Sequence, residues 1–206
     1  GMECLSRLIK AGKINHIGRC EVSSSTLPRA HAILPLTALQ TECSLWTRDI
    51  EAEILPVVKE LGIGLVPYSP LGRGFLTGKY RHNSDFAEGD FRKNNERFSQ
   101  SSLDHNAQLL DAVHPLAEKY SCTPGQIALA WLLAQYDKLI PIPGTKQTRY
   151  LAENAQAADI VLEQADIALL NAIHQHIEIR GERYSQEGMK SINAGSHNRV
   201  TPGYFF

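Results

Sequence analysis

Short apolar runs alternate with longer stretches of helical periodicity along this chain, and that alternation limits its fold more than any other feature. The runs are Ile14 to Ile17, Leu36 to Gln40, Gly64 to Tyr68 and Leu139 to Ile142. Each has the length and character of a strand buried on both faces of a parallel sheet. Between them, Ile54, Leu55, Val58 and Leu61 mark one face of a helix, with Gly62 placed for a left-handed C-cap. Thr123-Pro124-Gly125-Gln126 is a capping box with proline at the first helical position, opening the apolar segment Ile127 to Leu133. A further helix is expected from near Thr148 through Glu153 and Asn154. Another is expected over Gln164 to His176, with Ile167, Leu170, Ile173 and His174 on one stripe. This order specifies an α/β protein with a parallel sheet, and both doubly wound and barrel versions satisfy it.

Composition removes several classes. With 206 residues, 43% hydrophobic and 21% charged, the chain is neither disordered nor fibrous. A net charge of -1 points to no nucleic acid and no anionic membrane as main partner. No apolar run reaches the ~18 residues that span a bilayer. The start, Gly1-Met2-Glu3-Cys4-Leu5, has no basic region followed by an apolar stretch, so no secretory signal is expected. Cys4, Cys20, Cys43 and Cys122 form no Cys-x-x-Cys pair, which suits a reducing cytosol better than a disulfide framework or zinc site.

Two segments carry candidate chemistry. Tyr68-Ser69-Pro70-Leu71-Gly72-Arg73-Gly74-Phe75-Leu76-Thr77-Gly78-Lys79 follows an expected strand, at the rim where barrel enzymes build their sites. Tyr68 offers a face to a flat ring, and the small residues let backbone N–H groups approach a diphosphate. The second, Ile142-Pro143-Gly144-Thr145-Lys146 with Arg149, Tyr150, Glu153 and Asn154, aims a helix start at the same rim, suited to phosphate. Ordinary βα turns with a packed tyrosine and a surface lysine are the structural alternatives. No Gly-x-Gly-x-x-Gly follows the first run, against a Rossmann domain. Gly74 to Tyr80 is one residue short of a P-loop and lacks its Ser/Thr. The polar stretch from Lys79 to Leu103 reads as a long loop, either functional or a solvated excursion. His16 reads as a packed core histidine.

Taken together, these segments resemble the cofactor-binding part of an aldo-keto reductase, a (β/α)8 TIM-type barrel that uses NADP(H). The resemblance extends to Gly12-Lys13-Ile14, Ile17-Gly18, Gln40-x-x-x-Ser44-Leu45-Trp46, Glu60 to Gly64, Ala128 to Leu132 and Glu153-Asn154, from about Lys13 to Asn193. It implies that Tyr68 stacks on the nicotinamide and Gln40 bonds its carboxamide. Cys20 stands where relatives usually have serine, a weaker hydrogen-bond partner. Ser69, Pro70, Leu71 and Gly72 would follow the pyrophosphate, with Gly74, Lys79 and Gly144 in the same cofactor set. Thr145 and Lys146, with Arg149 beside them, would meet the 2'-phosphate, and Glu153 with Asn154 the adenine. Tyr150 stands where relatives often have Arg or Gln.

The family reduces carbonyl substrates with an Asp, Tyr, Lys and His tetrad from the first half of the barrel. Lys13, His16, His31 and Asp49 match none of those motifs, so no catalytic residue is assigned. The expectation is a truncated barrel of about the last four βα units over residues 1–193, with an irregular tail over 194–206. Such a chain leaves open edges at Ile14 to Ile17 and Leu139 to Ile142, through which self-association is expected. The alternative is a non-catalytic nucleotide-binding or interaction module that pairs with another chain.

Overall fold

The computed structural model describes residues 1–184 and 188–189; the expected tail lies outside them. Its centre is a parallel sheet of β1 (Gly18–Cys20), β2 (Ala38–Glu42) and β3 (Gly64–Tyr68), in that order. The fourth apolar run extends the sheet without forming a full strand. Leu139 bridges Leu65 in parallel, and the Ile140 and Ile142 amides donate to Leu65 and Pro67 carbonyls at 2.8 and 3.1 Å. The first run needs correction. Residues 14–17 are not strand, and β1 begins at Gly18, where parallel pairing with Ala38 starts. His16 is exposed, 3.4 Å from the Thr37 hydroxyl, and is not a core histidine.

Helices cover one face of this sheet. In chain order they are α1 (Met2–Lys10), α2 (Thr26–Ile33), α3 (Ile54–Glu60), α4 (Gln100–Lys119), α5 (Pro124–Leu133), α6 (Thr148–Gln156) and α7 (Gln164–His176). Gly62 holds the left-handed conformation expected after α3, and α5 opens with the full Thr123/Gln126 capping box. Helix α5 is apolar on every side and therefore lies inside the molecule, with Ile127, Trp131 and Leu132 all fully buried. Its buried polar groups are satisfied: Gln126 donates to the Glu153 carbonyl at 2.9 Å, and the Trp131 indole to Asn171 of α7 at 2.8 Å.

The polar stretch after Lys79 is not a structureless loop. It folds through short 3-10 turns at 83–85, 91–94 and 96–98 and ends where Ser99 caps α4. Aromatic residues spaced through it supply the reason. Phe86 and Phe98 are buried and pack edge to face at 5.3 Å, and Phe98 meets Trp46 at 5.2 Å. Trp46 in turn stacks on Phe75 at 4.1 Å, a contact worth about 0.5–1.5 kcal/mol beyond burial itself.

After α7 the chain returns across the rim as a strap. Asn106 of α4 brackets Arg180, accepting from its amide and donating to its carbonyl, and Arg97 donates to the Gly181 carbonyl at 2.9 Å. The Arg183 carbonyl accepts from both Arg73 and Asn95. These bonds lay residues 180–184 over the C-terminal ends of the strands.

Candidate functional site

Side chains alternate along a strand, so the register decides which residues share a face. Cys20 pairs with Gln40, and Gln40 with Val66; two residues on, Glu42 pairs with Tyr68. The residues between them, Leu39, Thr41, Leu65 and Pro67, are buried beneath the helices. Cys20, Gln40 and Tyr68, far apart in sequence, therefore stand on one face near the strand ends. The Cys20 thiol donates to Gln40 Oε1 at 3.6 Å. Desolvation, then the neighbouring Glu21 carboxylate, pushes that thiol up, so it acts as a neutral donor.

Tyr68 is half-buried, and its hydroxyl meets that of Tyr184 at 3.1 Å. Burial, then this hydrogen bond, raises its pKa. A phenol that serves as general acid needs the opposite shift, so Tyr68 suits a neutral platform rather than a proton donor. The Tyr184 ring lies beneath the Arg73 guanidinium at 4.8 Å.

At the end of this face lies a charged rim centred on the buried Glu42. Glu42 is 1% exposed, pairs with Arg73 at 3.0 Å and accepts from the Thr47 hydroxyl at 3.1 Å. Arg97 donates to the same Thr47 hydroxyl at 2.7 Å. Burial raises the Glu42 pKa, opposed chiefly by Arg73 and then Arg183. Arg183 is held by charge more than by aligned bonds. Its Nε is 3.3 Å from Asp49 and its Nη1 is 3.7 Å from Glu21, with a well-directed hydrogen bond at neither nitrogen.

The second site is a cleft of about 730 Å³ between the turn after β3 and the start of α6. Ser69, Pro70, Leu71, Gly74 and Lys79 form one wall, and Gly144, Thr145, Glu153 and Asn154 the other. Nine of the candidate residues from two distant segments thus meet around one space. The wall after β3 is shaped by left-handed backbone at Ser69, Gly72, Arg73, Gly74 and Gly78. Gly72 is needed there for a second reason, since a Cβ would come within 2.7 Å of the Trp46 ring.

Gly144 shows the opposite environment. A Cβ added there would meet nothing within 4 Å, so its backbone is open to the cleft. An open backbone, the exposed Lys79 ammonium and a helix start fit a diphosphate-bearing ligand. Glu153 is partly engaged, accepting from the Thr123 hydroxyl at 2.9 Å while its carbonyl accepts from Gln126.

Several candidate residues lie outside this lining. Cys20, Gln40 and Tyr68 belong to the sheet face, and Gly72 is buried under the turn against Trp46. Lys146 is exposed next to the lining residue Thr145. Arg149 is also exposed, donating to Gln147 Oε1 at 3.0 Å and to the Tyr150 hydroxyl at 2.8 Å. The cleft also has lining residues outside both candidate segments: Tyr80, Arg92 and Thr123 among them. The signal available for Tyr80 and Arg92 was the aromatic spacing within the polar stretch. The lining contains neither histidine nor aspartate. Among the described residues no cluster of His, Cys, Asp and Glu could hold a metal, and no helix is long and apolar enough to cross a membrane.

Comparison with known proteins places this geometry. The chain is 40% identical over 193 residues to aldo-keto reductase str7 of Strobilurus tenacellus, covering 92% of this chain and 57% of that protein. It is 43% identical over 180 residues to probable aldo-keto reductase 1 of Glycine max, covering 87% of this chain and 52% of that protein. The chain therefore spans little more than half the length of these relatives. Its fold matches the glycerol dehydrogenase AKR11B4 from Gluconobacter oxydans, with TM-score 0.79 and 24% identity over 88% of this chain and 55% of that one. It also matches the thermostable aldo-keto reductase Tm1743, with TM-score 0.65 and 23% identity over 84% of this chain and 53% of that one. The α/β architecture is thus of the TIM-barrel type. The family model described as "Aldo/keto reductase family" matches residues 1–175, and the chain belongs to that family.

Proposed function

We propose that this chain is the cofactor-binding part of an NADP(H)-dependent aldo-keto reductase, built from the last four βα units of the barrel. The observation that carries the reading is the convergence of Ser69 to Lys79 and Gly144 to Asn154 on one cleft. Here Ser69 to Gly72 follow the diphosphate, with Gly74, Lys79 and Gly144 in the same cofactor set. Thr145 and Lys146, with Arg149 nearby, meet the 2'-phosphate, and Glu153 with Asn154 meet the adenine. Tyr68 stacks on the nicotinamide, with Gln40 and Cys20 on the same face. The bound dinucleotide supplies a hydride for reducing aldehydes or ketones. The chain's own residues bind and orient it. Four unpaired cysteines suit a reducing cytosol as its location.

Reduction of a carbonyl also needs a proton, and Lys13, His16, His31 and Asp49 match none of the motifs of the tetrad that delivers it in the resembled family. General acid help is worth typically ~10² to 10⁴-fold, so this polypeptide alone is expected to show no measurable carbonyl reduction. Fluorescence titration with NADPH and NADH tests the binding. Lys146→Ala is expected to weaken NADPH more than NADH, and equal weakening would remove Lys146 from the 2'-phosphate site. NADPH oxidation with a broad aldehyde panel tests the chemistry. Turnover at ordinary enzyme rates, abolished by mutating a residue of this chain, would contradict the expected inactivity.

A second reading, an interaction module that pairs with another chain, is favoured by what the sheet leaves open. Ile140 is 65% exposed and Ile142 44% exposed, and Gly18 and Cys20 of β1 are exposed at the opposite edge. Uncovered strand edges are templates for pairing. Self-association is therefore expected, and sedimentation across a wide concentration range checks it. A compact, cooperatively melting monomer at micromolar concentration would argue against it.

A further inference from the structure

The turn that walls the cleft contains a backbone conformation that its own residues do not favour. Arg73 has φ 53° and is followed by Gly74 at φ 95°. Glycine adopts the left-handed region freely, but arginine does so only when its surroundings hold it there. Gly74 is also closely covered, since a Cβ there would lie 2.7 Å from the Tyr80 ring and 3.5 Å from Arg92 Nη1.

What covers this turn comes from the polar stretch. Arg92 Nη1 donates to the Arg73 carbonyl at 2.8 Å, the peptide between the two left-handed residues. Its other nitrogens are committed to Asp90, with Nη2 at 2.6 Å and Nε at 3.0 and 3.2 Å from the carboxylate oxygens. The guanidinium lies 4.4 Å from the Tyr80 ring and 4.6 Å from the Phe86 ring, and those rings stack at 5.0 Å. The side chains of Arg92 and Asp90 are only 17% and 20% exposed. A fork fixed on one side by a carboxylate and flanked by two rings has little freedom, so its remaining arm reaches a defined point.

We propose that Arg92 is a positioning residue for the diphosphate-facing turn. Through Nη1 it fixes the Arg73–Gly74 peptide and keeps residues 69–78 in the shape that meets the dinucleotide. Asp90, Tyr80 and Phe86 aim the guanidinium. The inference rests on the cofactor reading above and extends it to a residue that makes its contribution through the backbone of another.

The test measures dissociation constants of NADPH and NADH for the unaltered chain, Arg92→Ala, Arg92→Lys and Asp90→Asn. It is combined with amide hydrogen exchange over residues 72–78. Arg92→Ala is expected to weaken both dinucleotides about tenfold and by the same factor, as expected for one lost hydrogen bond to a charged group. Exchange in the turn is expected to accelerate. Arg92→Lys restores part of the affinity, because an ammonium can bond the Arg73 carbonyl but cannot chelate Asp90. Asp90→Asn gives a smaller loss of the same kind.

Unchanged affinity or unchanged exchange in Arg92→Ala overturns the proposal. Selective loss of NADPH also overturns it, by making Arg92 a 2'-phosphate contact. If circular dichroism shows Arg92→Ala unfolded, Arg92→Lys and Asp90→Asn decide by the same criteria. Failure of the unaltered chain to bind either dinucleotide is a different result, since it overturns the cofactor reading and this inference with it.

Discussion

At the end of β2, Glu42 meets Arg73 at 3.0 Å and shares Thr47 with Arg97. In the cleft beyond β3, Lys79 is exposed and Gly144 opens on empty space. Both regions lie past strand ends and both are rich in charge. In the first, carboxylate, hydroxyl and guanidinium groups satisfy one another inside the protein. In the second, cationic and backbone groups are left facing a space of about 730 Å³. A buried polar group must find its partners within the chain, whereas one at an open wall can keep its bonding capacity for a ligand. Charge content alone therefore does not identify a site. The distinction lies in whether the partners are already present.

Mutations can break this contrast, beginning with the largest effect. Glu42→Ala leaves Arg73 and Arg183 without their buried anion and is expected to cost about 3–5 kcal/mol of stability, read from urea unfolding. Glu42→Gln keeps an acceptor for Thr47 and is expected to cost less. A loss under about 1 kcal/mol for Glu42→Ala would show the rim is not the coupled structural unit its distances indicate.

Lys79→Ala is the complementary test. Its stability change is expected to stay within about 0.5 kcal/mol, as for other surface positions, while NADPH and NADH both bind about tenfold more weakly. A large drop in stability with unaltered binding would reverse the assignment of the two regions.

The smallest expected effect sharpens the structural side. His174 donates through Nε2 to the Leu45 carbonyl at 2.6 Å, near Arg48, Glu51 and Asp49. Burial, more than any neighbouring charge, lowers its pKa below the ordinary 6.5. A group with a depressed folded pKa adds stability that is complete above its unfolded value and lost as pH falls through its folded one. Melting temperature is therefore expected to decline from about pH 6.5 downward, and His174→Gln to remove that part of the decline. An identical pH profile in the variant would exclude this histidine as its source.

How far each region was legible in the sequence follows from the range of the interactions. Local rules placed the left-handed Gly62 after α3, the Thr123/Gln126 box at the start of α5 and the beginning of α6 at Thr148. Those signals act over one helical turn, through backbone dihedrals and orphan N–H groups, so neighbouring residues suffice to set them. The β3 run was equally clear, and the two candidate segments were recognised as chemistry-bearing by their residue types and order. Only the tertiary structure decided that β1 starts at Gly18, because strand limits depend on where pairing with a neighbouring strand begins. It alone turned the polar stretch into a folded wall, since Phe86 and Phe98 become apolar anchors only when Trp46 is there to receive them. Likewise Arg73, Arg97 and Arg183 are indistinguishable from surface arginines in the sequence. They are drawn inward by Glu42 and Thr47, residues at least 26 positions away, and such partners become neighbours only when the sheet and its strap have formed.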